Sequence, residues 1–127
     1  MIQILLVFLG GGLGAAGRHG VNIVAARLLG TNLPWGTMIV NIVGSLVMGL
    51  FAAWFAFRAD FGLTQHARLF LTTGVLGGFT TFSAFSLDAA LLWERGEVML
   101  AGAYVAGSVA ASIAALFAGL ALVRALA

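Results

Sequence analysis

Four apolar runs, each about as long as a membrane-crossing helix, decide what this chain can fold into. Only three short polar segments interrupt them, at 30–37, 58–68 and 94–97. A helix needs about 20 largely apolar residues to cross a bilayer, and 127 residues leave room for four such helices and short turns. Spans are expected at about 2–29, 37–57, 67–93 and 98–123, with 1–127 forming one four-span unit and no linker. Charged residues are 8% of the chain, against roughly a quarter in soluble domains. Hydrocarbon solvates no free N–H or C=O, so each span must be a helix that satisfies its own backbone. The expected class is therefore an all-α membrane protein.

Several function classes drop out. The basic residues Arg18, Arg27, Arg58, Arg68, Arg95 and Arg124 are scattered, for a net charge of +2, and form no basic cluster of the kind that binds nucleic acid. There is no cysteine, which excludes disulfides, thiolate catalysis and cysteine-ligated metals. The amino end lacks a basic n-region, so no cleavable signal is expected. No HExxH, P-loop or GxSxG occurs, Ser83 and Ser86 have no base in sequence reach, and His19 and His66 make no metal-ligand spacing with Asp88. An enzyme is not expected.

With four spans, both termini and the second connection share one side of the membrane. That side holds Arg58, Arg68 and Arg124; the other holds Arg27 and Arg95, with Arg18 reaching toward it. Orientation follows an excess of cytoplasmic Lys and Arg, and three against two or three is nearly no excess. A chain without that bias can insert both ways, so dual topology and an antiparallel homodimer are expected.

The third span reads badly as a plain helix. Gly77 and Gly78 give up helix propensity, and Thr80 and Thr81 are stiff, β-branched positions. A break is expected between Gly77 and Thr80, and Gly77→Val is expected to crowd it. Carbonyls freed by a break inside a membrane need a protein, water or ion partner. Hydroxyls and rings then alternate through Thr80, Thr81, Phe82, Ser83, Phe85 and Ser86. Phe82 and Phe85 share a helix face, and their positive ring edges beside hydroxyl donors suit the path of a small anion. The same spacing serves a glycine hinge with aromatic packing.

Other polar residues inside spans have two readings each. Asn41 repeats at four with Ser45 and Gly49; its amide either bonds across helices or faces a passing anion. Arg18 follows Gly10 and Gly14 at spacings of four and anchors a helix end or a water-filled vestibule. Asp88 is expected to pair with Arg18 or to face a polar vestibule. Ala103, Gly107, Ala111, Ala115 and Gly119 form a small-residue stripe that favours close helix packing. Ser108 and Ser112 beside it cap carbonyls of their own helix or wet a pore wall. Two transport classes fit: a passive anion channel, or a small proton-coupled multidrug-type exporter. The exporter needs a titratable carboxylate, typically in the first span, and that span has none.

Gly77-Gly78-Phe79-Thr80-Thr81-Phe82-Ser83-Ala84-Phe85-Ser86 resembles GG-x-TTFS-x-FS, the signature of the CrcB/Fluc fluoride channels. The likeness extends to Gly17-Arg18, to Pro34-x-Gly36-Thr37 ahead of Asn41-Ile42-x-Gly44, and to Thr72-Thr73-Gly74. It implies fluoride-selective channels built as antiparallel, dual-topology homodimers of four-span subunits with a broken third helix, in a bacterial inner membrane. It implies a structural Na⁺ at the dimer centre, held by backbone carbonyls at positions matching Gly77 and Thr80. The matching pore positions are Asn41, Phe82 and Phe85, with hydroxyls at Thr81 and Ser83; Arg18 matches a vestibule arginine and Ser108 a vestibule serine. Fluoride would enter cells as neutral HF, dissociate, and leave passively through the channel. Asp88 stands where the family often has Glu, Ala84 where Thr is frequent, and His19 where an aromatic is common.

Overall fold

The computed structural model describes residues 1–57 and 62–126; Arg58 and Asp60 lie outside the described residues. The first helix, α1, is Ile2–Leu29, and α2 is Trp35–Ala56. The third span is composite. It comprises α3 (Gly62–Arg68), a π-helical stretch Leu69–Leu76, the single turn α4 (Gly77–Phe79) and α5 (Phe82–Glu94). The last helix, α6, is Val98–Leu126. Among the described residues four helical stretches are long and apolar enough to cross a membrane, the third running Thr64–Glu94. Together with this composition they make the chain a multi-pass membrane protein.

The ends of these helices follow local chemistry. Pro34, whose φ is fixed and which has no N–H, sits at the N-cap of α2, so that helix starts two residues before the expected position 37. Gly30 and Gly96 close α1 and α5 at φ +83° and +82°, a region glycine enters without steric cost.

The third span breaks at Thr80–Thr81, not at the glycines. Thr80 (φ −86°, ψ 158°) and Thr81 (φ −155°, ψ 119°) are extended, whereas Gly77 is helical at φ −62°, ψ −37°. β-branched residues favour extended backbone, and Thr81 then caps α5, its Oγ1 accepting the Ala84 N–H at 3.1 Å.

Glycine serves close approach instead. α1 packs along the π stretch and α4, where a Cβ on Gly14 would collide with the Val75 carbonyl and one on Gly78 with the Gly11 carbonyl. A Cβ on Gly77 would meet only the Thr72 carbonyl oxygen, at 3.8 Å; within the chain, crowding belongs to Gly78. α2 packs against α6 in the same way, a Cβ on Gly119 colliding with the Leu46 carbonyl. Only one end of the small-residue stripe is used: Gly119 is buried, while Ala103 and Gly107 are exposed. Phe85, Leu92, Ala101 and Tyr104 form a buried cluster between α5 and α6.

Candidate functional site

The break is pinned from two sides. Asn41, on α2, donates from Nδ2 to the Thr81 carbonyl at 3.1 Å and accepts the Thr81 N–H on Oδ1 at 2.8 Å. One amide thus takes both backbone groups of Thr81, as a neighbouring strand would. From α1, Arg18 Nε–H donates to the Gly78 carbonyl at 3.1 Å. Freed carbonyls remain. The Thr81 N–H goes to Asn41 instead of to Gly77, and the Ala84 N–H goes to Thr81 Oγ1 instead of to Thr80. Gly77 and Thr80 therefore lose the i+4 donor that a continuous helix would give their carbonyls.

Beside the break runs a groove of about 330 Å³ between α2, α5 and α6. Asn41, Thr80, Thr81, Phe82, Phe85, Ser108 and Ser112 all line it. The two phenylalanines differ sharply: Phe85 is 8% exposed and Phe82 77%. Their ring centroids are 5.6 Å apart, and Phe85 continues to Tyr104 at 5.3 Å. Ser108 is 3% exposed, and its Oγ has no hydrogen-bond partner among the described residues. The self-capping reading of Ser108 is therefore replaced by a buried, unspent hydroxyl on the groove wall. An orphaned hydroxyl costs about 1–3 kcal/mol unless something fills the position.

The motif's own hydroxyls are spent locally. Thr80 Oγ1 donates to the Leu76 carbonyl at 2.9 Å and Ser86 Oγ to the Phe82 carbonyl at 3.0 Å. Ser83 is exposed, lies outside the groove lining, and places its Oγ 3.3 Å from Thr81 Oγ1. Ser45 and Met48 line the groove as well. Ser45 was visible in the spacing of four from Asn41; Met48 carried no signal beyond hydrophobicity.

Asp88 does not pair with Arg18. It accepts a hydrogen bond from Tyr104 Oη at 3.1 Å, and among the described residues no ion pair joins it to the guanidinium. The reason is placement: Arg18 reaches the break, whereas Asp88 lies almost two helical turns beyond it. The polar-vestibule alternative fits. Asp88 lines a second cavity of about 670 Å³, with Asn22, Thr31, Thr37, Glu94 and Arg95. Tyr104, 1% exposed, bridges the two openings, its hydroxyl on Asp88 and its ring on Phe85. Sequence reasoning missed Tyr104, a lone tyrosine in an apolar helix.

The comparisons agree with one another. The model of the family described as "CrcB-like protein, Camphor Resistance (CrcB)" matches residues 5–120. A Rhodopseudomonas palustris protein named "Fluoride-specific ion channel FluC" is 66% identical over 122 residues, covering 96% of this chain and 97% of its own. "Fluoride-specific ion channel FluC 2" of Nitrobacter hamburgensis is 61% identical, covering 97% and 98%. "Fluoride-specific ion channel FluC" of Methylobacterium nodulans is 61% identical, covering 98% of each chain. With the broken third helix, the pinned break and the matched length all in place, this chain belongs to the CrcB-like family.

Proposed function

We propose that this protein is a fluoride-selective channel that lets cytoplasmic fluoride leave passively across a bacterial inner membrane. The observation that carries the reading is the groove, which gathers Asn41 from α2, Phe82 and Phe85 from α5 and the unspent Ser108 hydroxyl from α6 around one space. The names of the relatives support it. A small anion surrenders water only where donors replace it. Here the donors are neutral: an amide N–H left over on Asn41, a serine hydroxyl and ring edges. None holds a fixed positive charge that would trap the ion. The proton-coupled exporter is disfavoured by the family, and the acid it would need, Asp88, is engaged by Tyr104.

The proposal includes an antiparallel homodimer of dual topology. It is supported by the near-balanced arginine count and by a groove that lies open on the flank of one protomer, with Phe82 exposed. C-terminal reporters that work on opposite sides of the membrane should both give signal; activity on one side alone would sink dual topology. The proposal also includes a structural Na⁺ held by the carbonyls of Gly77 and Thr80. Both lose their helical donor at the break, and carbonyl oxygen suits a hard cation. One protomer offers two such oxygens, so a second copy would double the set.

Efflux from proteoliposomes tests the function. Vesicles loaded with fluoride should empty when valinomycin clamps K⁺, while chloride-loaded vesicles retain their ion. Fluoride retained without an imposed proton gradient would end the channel reading. In the same assay Phe82→Ile and Phe85→Ile should both slow fluoride loss. Phe85→Ile should lower the melting temperature more than Phe82→Ile, because its ring is buried and pairs with Tyr104 as well as with Phe82, and an aromatic pair contributes about 0.5–1.5 kcal/mol. Unchanged rates in both variants would remove the ring edges from the mechanism.

A further inference from the structure

Arg18 is engaged by the third span rather than by a carboxylate. Its Nε–H reaches the Gly78 carbonyl, and no Asp or Glu pairs with it among the described residues. In an unbroken helix that carbonyl would take the Phe82 N–H; the break at Thr80–Thr81 removes this donor. The reach is built into α1. Gly11 and Gly14 bring its backbone against Gly78 and Val75. Helical side chains lean toward the N-terminus, so Arg18 leans back over the Gly14 turn to the break.

We propose that Arg18 is a positioning residue for the broken helix. Its Nε–H replaces the donor that Gly78 loses, holding α4 on α1 so that the Thr81 cap and the freed carbonyls keep their places beside the groove. The guanidinium charge is not what this position requires. This rests on the channel reading for its transport readout, but not for its stability readout.

Side-chain chemistry separates donor from charge. Glutamine Nε2 stands the same number of bonds from Cα as arginine Nε, so Arg18→Gln keeps an N–H donor and loses the charge. Arg18→Met keeps the length and loses both. Arg18→Gln should melt like the wild type and pass fluoride within about threefold of it, at low and at high fluoride alike. Arg18→Met should melt several degrees lower and pass fluoride about tenfold more slowly, the consequence of one orphaned, part-buried carbonyl. Equal losses in both variants would overturn the proposal, as would an Arg18→Gln defect confined to low fluoride, which would mark the charge as an anion attractor. Wild-type behaviour of Arg18→Met would overturn it too. If Arg18→Met does not fold, a folded and conducting Arg18→Gln upholds the proposal and an unfolded one overturns it. If the wild type passes no fluoride, the channel reading fails, and the melting temperatures of the two variants still decide the pin.

Discussion

Asn41→Leu should cut fluoride flux by about a hundredfold or more, with a lower melting temperature, because it removes both bonds to Thr81 at once. Leucine matches asparagine in shape, so little is lost in packing. What is lost is a donor and an acceptor, leaving the Thr81 N–H and C=O orphaned in a half-buried setting. Each such group costs about 1–3 kcal/mol, so the pair stands at about 2–6 kcal/mol. The break that shapes the groove would relax, and the remaining amide donor facing the groove would go with it. Proteoliposome efflux and thermal melting measure the two effects separately. A variant with unchanged flux and melting would mean that Thr81 holds the break alone.

Gly14→Val should abolish recovery of folded protein, whereas Gly77→Val should leave the protomer fold intact. A Cβ on Gly14 falls on the Val75 carbonyl and 2.7 Å from the Phe79 amide nitrogen, both backbone atoms with no flexible end to swing aside. Overpacking costs about 1–3 kcal/mol even where side chains can adjust, and here they cannot. Gly77 has open space, and a glycine in a helix gains little by staying glycine. Gly77→Val therefore tests whether the proposed second copy sits at the break. If two copies meet at the break, its purified form should lose the dimer on size exclusion in detergent while helix content by circular dichroism is kept. A stable Gly77→Val dimer would place the copy–copy contact elsewhere.

The span positions were legible because hydropathy is local; α1 coincides with the expected 2–29, and the others differ by a few residues. The break was legible as an event, and its position falls at the Thr80 end of the expected Gly77–Thr80 range rather than at the glycines. Low propensity at Gly77 and Gly78 pointed there, but in a packed bundle a glycine is as often a place where backbones touch as a place where a helix fails. Thr80 and Thr81 break because Asn41, forty residues away, supplies Thr81 with the bonds a helix would have given. Of the expected pore residues, Asn41, Thr81, Phe82 and Phe85 line the groove together, with Ser108, expected at a vestibule, beside them and Ser83 outside it. The partner of Asp88 was not. One acid and one arginine inside different spans read as a pair, and a tyrosine sixteen residues on, across the connection between α5 and α6, announces nothing. Small-residue periodicity in α6 was read correctly as a pattern and too broadly as a contact, because period alone does not say which stretch of a stripe another helix covers.

The π-helical stretch Leu69–Leu76 has one further consequence, for how chains of this kind can change length. A π turn is an α turn holding a surplus residue. Insertions or deletions inside a membrane helix ordinarily rotate everything beyond them by about 100° per residue. Losing one residue from the start of this stretch would instead let it settle into α geometry. Gly74, Gly78 and the break would stay in register with α1. The stretch is thus a slack point, where a one-residue change of length ahead of the break would be absorbed without reaching the groove.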